Sequence, residues 1–183
     1  MTAVVLAGGG SRRMGRDKTA LYFRGETLLQ RACRRFGEVF DPVWVSVRTP
    51  KEAVPAEQIA DEFPGCGPMA GLHAALKRRP EGGVFLLAAD LPLAEPELAL
   101  RLIGLGQGHQ ACVPEREPLF GWYGPEALEP AEQLLRAGEY RMTELLRRLD
   151  TRFVPLAELG RPDAEHTLLN VNDPEAYRLL QSL

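Results

Sequence analysis

From Gly8 to Lys18 the chain combines three consecutive glycines, Gly8, Gly9 and Gly10, with four cations, Arg12, Arg13, Arg16 and Lys18. Glycines let backbone N–H groups come close to phosphate oxygens. Four positive side chains this close repel one another unless an anion neutralises them. A bound phosphate is the chemistry this stretch suits, against the plainer reading of a tight turn with a solvated basic face. It is not a Walker A loop, because Gly10 to Gly15 is followed by Arg16-Asp17 where Lys-Ser/Thr is required. Nor is it a dinucleotide fingerprint, because Arg13 stands where the third glycine of Gly-x-Gly-x-x-Gly belongs. Lys18 can reach a phosphate as a point charge and Arg13 offers a planar fork, the alternative for Lys18 being a surface ion pair with Asp17.

Other candidate residues are spread along the chain. Asp90 follows the apolar run Val84 to Ala89 and so projects at the carboxyl edge of a buried strand, where open α/β sheets bind ligands. The plainer alternative for it is a helix N-cap before Leu91-Pro92. Asn170 and Asn172 alternate with Leu169 and Val171, which in an extended segment puts both amides on one side. Loop-stabilising hydrogen bonds before the last helix are the alternative there. His73, His109 and His166 are scattered and form no HExxH, triad or paired-ligand pattern. Cys33, Cys66 and Cys112, odd in number and far apart, match neither a disulfide framework nor a metal knuckle and read as reduced structural thiols.

These residues need a scaffold. Ala3 to Ala7 is a short continuous apolar run ended by glycines, the pattern of a strand buried on both faces. A helix follows behind Thr27 as N-cap, then a strand over Val43 to Val47, a helix over Met69 to Arg78, the strand Val84 to Ala89, a helix over Glu95 to Leu105 and a strand over Ala111 to Pro114. Leu119 to Tyr123 reads as a strand, Ala127 to Ala137 and Met142 to Leu149 as helices, and Arg152 to Leu156 as an edge strand because its proline cannot donate to a ladder. Asp173 as N-cap and Pro174 at the first helical position announce a final helix over Glu175 to Leu180. The alternation predicts an α/β fold in three layers, a mainly parallel sheet with helices on both faces.

At 183 residues and 20.2 kDa one domain spanning 1–183 is expected. Apolar residues make up 45% and charged residues 26%, which excludes a disordered chain. A formal charge of −3 argues against a polycation for nucleic acid. The longest apolar run is far short of the roughly 18–20 residues of a membrane span. Met1-Thr2 leads into the first strand with no basic signal region, so a cytoplasmic location is expected.

Leu6-Ala-Gly-Gly, then Arg13-Met-Gly and Asp17-Lys18, resembles the signature loop of nucleotidyltransferases, and most of all that of the MobA-type molybdenum cofactor guanylyltransferases. Four further segments resemble that family in order: Asp61 to Gly71 its Asp…Gly-Pro-Leu-Ala-Gly, Ala89-Asp90-Leu-Pro92 its metal-binding Asp-x-Pro, Pro118-Leu-Phe120 its mid-chain Pro-Leu/Thr, and Leu169 to Glu175 its Asn-Val-Asn-Thr-Pro-Glu. Two departures stand out. Arg48 ends Ser46-Val47-Arg48 where the family usually has Asn, so that contact is not carried over, and Asp173 replaces the commoner Thr.

The resemblance implies a Rossmann-like sheet of the nucleotide-diphospho-sugar transferase type. It implies transfer of GMP from GTP to the terminal phosphate of molybdopterin, with release of pyrophosphate. Mg²⁺ is the implied cofactor and Asp90 its ligand. Leu6, Ala7, Gly8, Gly9, Lys18, Asp61 and Asp90 would bind nucleotide, Lys18, Arg13 and Asp90 would be catalytic, and Asn170 and Asn172 would bind the pterin substrate. A molybdenum-insertion protein and molybdoenzyme chaperones are the implied partners, with no role for nucleic acid or membrane. Three alternatives remain. A cytidylyltransferase for the same cofactor has Leu-Ala-Ala-Gly where this chain has Leu6-Ala-Gly-Gly. A sugar-1-phosphate nucleotidyltransferase fits the short chain and terminal Asn-Val-Asn poorly, and a non-catalytic nucleotide-binding adaptor would not need Lys18 and Asp90.

Overall fold

The computed structural model of the chain describes residues 1–7, 18–54, 56–79, 81–160 and 164–183. Gly8, Gly9, Gly10, Arg12, Arg13 and Arg16 lie outside the described residues, so the expectations resting on them are not addressed by its geometry. The elements begin with β1 (Thr2–Leu6), the short hairpin β2 (Tyr22–Phe23) and β3 (Glu26–Thr27), then α1 (Leu28–Gly37), β4 (Val43–Val47), β5 (Glu57–Ala60) and α2 (Pro68–Arg78). They continue through β6 (Val84–Ala88), α3 (Pro96–Leu105), β7 (Ala111–Pro114), β8 (Phe120–Tyr123), α4 (Leu128–Arg136) and α5 (Met142–Arg148). The chain ends with β9 (Thr151–Val154), α6 (Ala164–Thr167) and α7 (Pro174–Gln181).

Every residue of β1 and β6 is buried, and this places both in the middle of the main sheet. The order is β5-β4-β1-β6-β8-β7-β9. β1 pairs in parallel with β4 and β6, β4 with β5 and β7 with β9, while β8 runs antiparallel to both β6 and β7. The sheet is therefore mainly parallel, as the alternation of apolar runs predicts. β5 is an element that periodicity does not reveal: in Glu-Gln-Ile-Ala only Ile59 is buried, too little for an apolar run. β9 is an edge strand as expected, but it stops at Val154, just before Pro155.

Side chains alternate across the sheet. Ala3 and Val5 of β1 with Phe85 and Leu87 of β6 pack under α1 and α3, against Leu29, Ala32, Phe36, Leu98 and Leu102. Val4, Leu6, Val84 and Leu86 face the other way, onto α2, α4 and α5. The α1 side is aromatic: Phe85 meets Phe120 edge to face at 4.9 Å and stacks on Phe36 at 6.2 Å. Each fully buried side chain of this size contributes about 1.5–3 kcal/mol. These two apolar layers hold the sheet rigid beneath its polar edge.

Local signals set the helix starts. Thr27 and Gln30 form a reciprocal capping box on α1, and Asp173 accepts hydrogen bonds from the Glu175 and Ala176 amides to cap α7, with Pro174 in its first turn. Helix α7 then docks on the β2–β3 hairpin. Tyr177 Oη and Gln181 Nε2 both donate to the Tyr22 carbonyl at 2.7 Å, over a small apolar cluster of Phe23, Leu28, Val171 and Leu180. That docking brings the segment before α7 to the segment before β2.

Helix α2 approaches β1 and β4 through Gly71, where a Cβ would lie 2.4 Å from Ser46 Oγ and 2.7 Å from Leu6 Cδ2. Both neighbours are buried and cannot swing aside. Gly71→Ala is expected to cost about 1–3 kcal/mol by overpacking. Combining it with Ser46→Ala, which removes one of the two clashing atoms, should cost less than the sum of the single changes. Urea denaturation of the four proteins measures this, and strict additivity would contradict the close approach.

Candidate active site

The polar residues gather at the carboxyl ends of the central strands. Ala7 N–H donates to the Ser46 carbonyl at 3.0 Å and Ala89 N–H to the Leu6 carbonyl at 3.2 Å, so β1, β4 and β6 end level with one another. The link from β1 to β4 runs through α1 on one face and that from β5 to β6 through α2 on the other. Such a reversal around β1 is where open α/β sheets leave a crevice for ligands. Leu6 and Ala7, both buried, lie at its floor.

Asp90 stands in the turn after β6, its side chain only 21% exposed. It caps no helix, since Glu95 occupies the cap position of α3. Its carbonyl accepts the Val171 N–H at 2.9 Å, which pins the C-terminal segment to the sheet edge. Lys18 Nζ lies 3.7 Å from Asp90 Oδ2 and donates to Asn172 Oδ1 at 2.6 Å. Burial pushes the Asp90 carboxyl above its ordinary range, and the Lys18 charge opposes that shift. Residues 154 positions apart thus meet over one carboxylate. Asp17, the alternative partner of Lys18, lies outside the described residues.

The segment carrying Asn170 and Asn172 is not extended. Asn172 N–H donates to the Asn170 carbonyl at 3.1 Å, a tight turn about the fully buried Val171. The two amides therefore reach different partners, Asn172 to Lys18 and Asn170 Nδ2 to Glu117. Glu117 is the residue that sequence reasoning missed. It lies between β7 and β8, is 9% exposed, and accepts the Leu119 N–H at 3.1 Å as well as the Asn170 amide. Burial pushes its carboxyl up and the nearby Asp90 adds to that, while the two hydrogen bonds hold it down. The one available signal was its place immediately before Pro118-Leu-Phe120.

Asp61 flanks the crevice on the β4 side. Ser46, opposite Leu6 in the β1–β4 register and 3% exposed, donates its hydroxyl to Asp61 Oδ1 at 2.8 Å. Burial raises the Asp61 carboxyl and the Ser46 bond opposes it. So this chain uses Ser46 from the Ser46-Val47-Arg48 segment to hold an acceptor beside the end of β1.

The donor chemistry suits a hard divalent cation. Asp90 is a largely desolvated carboxyl with Glu117 nearby, and Mg²⁺ is usually held by one or two carboxylates, with water and phosphate completing the shell. Among the described residues no group of three His, Cys, Asp or Glu could hold a metal by itself. The histidines lie elsewhere: His73 is buried edge-on against Phe63, and His109 sits beside Asp150. Burial pushes the Cys33 thiol to about 12 and that of Cys112 to about 11, so both are inert structural side chains.

Residues 3–153 match the family model described as a MobA-like NTP transferase domain. A protein of Opitutus terrae named a probable molybdenum cofactor guanylyltransferase is 37% identical over 96% of this chain and 92% of its own length. One of the same name from Aquifex aeolicus is 31% identical over 100% of the chain and 90% of its own. The crystal structure of molybdopterin-guanine dinucleotide biosynthesis protein A from Archaeoglobus fulgidus superposes with a TM-score of 0.88, at 29% identity, covering 100% of this chain and 97% of that one.

Asp61 carries a pH signature. Its folded-state carboxyl is raised from 3.8, so the stability linked to its protonation is fully present below 3.8 and is lost as pH rises through the folded value. Asp61→Asn removes that loss. The variant should melt at a higher temperature than the parent at pH 7, with the difference shrinking as the pH approaches 3.8. Equal melting temperatures at pH 7 would show that Asp61 is not desolvated.

Proposed function

We propose that this chain, which belongs to the MobA-like NTP transferase family, transfers GMP from GTP to the terminal phosphate of molybdopterin and releases pyrophosphate. The observation that carries this reading is the convergence of Lys18, Asp90 and Asn172 at the carboxyl edge of the sheet, beside the end of β1. The names of relatives that align over nearly the whole chain support the choice of substrates. Because the second substrate brings its own phosphate nucleophile, the protein needs no Ser, Cys or His nucleophile. Its tasks are alignment and neutralisation of charge.

The roles divide around β1. Leu6, Ala7, Gly8 and Gly9 supply backbone to the nucleotide. Asp61, held by Ser46, offers a carboxylate acceptor for the N1 and N2 donors of guanine. Lys18 and Arg13 neutralise phosphate charge. Asp90 would hold Mg²⁺, which when bound supplies neutralisation of the nucleotide phosphates. Asn170 and Asn172 come from the far end of the chain and serve the pterin substrate. The product is proposed to pass to molybdoenzyme chaperones, with molybdenum coming from an insertion protein. Two buried, inert thiols and a half-buried third suit the reducing cytoplasm. No helix among the described residues is long and apolar enough to cross a membrane.

Pyrophosphate release with molybdopterin and Mg²⁺ tests the reading, GTP against CTP. GTP is the expected substrate, and preference for CTP would favour the cytidylyl reading. Asp90→Asn, Lys18→Ala and Arg13→Ala should each lower kcat by about 10²–10³-fold, the scale of losing one preorganised charge-stabilising group, with smaller effects on GTP binding. Asn172→Ala should weaken molybdopterin binding about ten- to a hundredfold, the cost of one hydrogen bond to a charged group, and leave GTP binding within a few-fold. Full activity of Asp90→Asn, or an effect of Asn172→Ala on GTP alone, would overturn these assignments.

A further inference from the structure

Glu117 is almost wholly buried, and both oxygens of its carboxyl accept hydrogen bonds, one from the Leu119 N–H and one from a single polar side chain, that of Asn170. Its backbone is fixed by its surroundings. The Phe120 N–H donates to the Glu117 carbonyl at 3.2 Å, and Tyr123 Oη, fully buried, donates to the Pro118 carbonyl at 2.6 Å. A carboxylate in this position is costly unless its bonds are worth keeping. Its chemistry also has a direction. A carboxylate only accepts, so it binds Asn170 through Nδ2 and turns that amide's Oδ1 away from itself. Lys18 only donates, so it binds Asn172 through Oδ1 and turns that amide's Nδ2 away. Two asparagines of the same type, one residue apart, are thereby set in opposite senses.

We propose that Glu117 is a positioning residue that fixes the Asn170 amide with its carbonyl oxygen presented as an acceptor, while Asn172 presents a donor, so that the C-terminal segment offers the pterin substrate one of each. This rests on the assignment of Asn170 and Asn172 to that substrate. An acceptor matches the ring N–H and amino groups of a pterin edge, and a donor matches the oxygens of its phosphate. Without Glu117 the Asn170 amide has no reason to prefer one face, because its two ends are equal in size and differ only in polarity.

Exchanging the two polar groups separates this role from mere packing. Glu117→Gln keeps the shape but lets the Asn170 amide turn over, and should raise the KM for molybdopterin about tenfold, the cost of one misdirected hydrogen bond, with the KM for GTP within about twofold. Asn170→Asp places two carboxylates face to face and should be worse. Glu117→Gln together with Asn170→Asp restores one donor and one carboxylate with the same total charge, still turning an oxygen outward, and should return the KM to within about threefold of the parent. Parental kinetics in Glu117→Gln, or a combined variant no better than Asn170→Asp alone, overturns the proposal. Side-chain ¹⁵N–¹H spectra of the free protein supply an independent readout. The Asn170 Nδ2 pair, identified by its loss in Asn170→Asp, should be protected from exchange in the parent and not in Glu117→Gln, and its absence of protection in the parent would overturn the contact itself. A parent that transfers no GMP at all defeats the functional assignment, whereas the spectra still decide the contact.

Discussion

Three segments far apart in sequence converge on Asp90: the start of the 3₁₀ turn at Lys18, the end of β6, and the stretch before α7. The constraint they share is the cost of keeping carboxylates in a partly desolvated crevice. Asp61, Asp90 and Glu117 are all pushed upward by burial. Each is held by a donor from another element: Ser46 for Asp61, Lys18 for Asp90, Asn170 for Glu117. Negative charge without such donors would destabilise the edge of the sheet, since buried charge is costly unless paired and hydrogen-bonded. Under the proposed function, these carboxyls would face a divalent cation and the nucleotide phosphates it neutralises.

The rest of the fold makes that crevice rigid. Two apolar layers, one centred on stacked phenylalanines and one mostly aliphatic with Trp44 and Tyr123, clamp β1 and β6 from both faces. Above them, helix α7 anchors on the hairpin carbonyl of Tyr22 and on a four-residue apolar cluster. The surface ion pairs matter less. Those between exposed partners, such as Lys77 with Glu62, contribute about 0–1 kcal/mol each. The pairs that shape the site are few, short-ranged and screened from water.

Division of labour around β1 follows from topology. β4 and β5 bring Ser46 and Asp61 to one side, and β6 with the β7–β8 turn brings Asp90 and Glu117 to the other. Gly71 lets α2 press against Leu6 and Ser46 from beneath, so the acceptor on the β4 side is seated on packed atoms. In the proposed function, the nucleotide and the second phosphate-bearing substrate would approach from opposite flanks of one strand. Binding energy from both would then serve to align the reacting phosphates.

Much of this was legible from residue patterns alone. Nearly continuous apolar runs locate β1, β4 and β6, because a strand covered on both faces has few polar positions, here Thr2 and Ser46. Asp173-Pro174 marks the start of α7, because capping and a fixed φ are local effects. The glycines crowded by cations between Gly8 and Lys18 suggest a phosphate from sequence alone, and all but Lys18 lie outside the described residues. What the sequence could not determine are the relations between distant segments. β5 was hidden because an outer strand needs only one buried residue, Ile59, to hold its place. Glu117 looked like an ordinary loop acid, since its burial and its bond to Asn170, 53 residues on, exist only once β8 and the C-terminal segment lie side by side. Asn170 and Asn172 read as neighbours on one extended face. The turn around buried Val171 sends their amides to different partners, and that turn is set by a carbonyl on Asp90 and an apolar cluster built from both ends of the chain. Local chemistry is written in local sequence, whereas the direction in which a polar group faces is decided by whatever folding places against it.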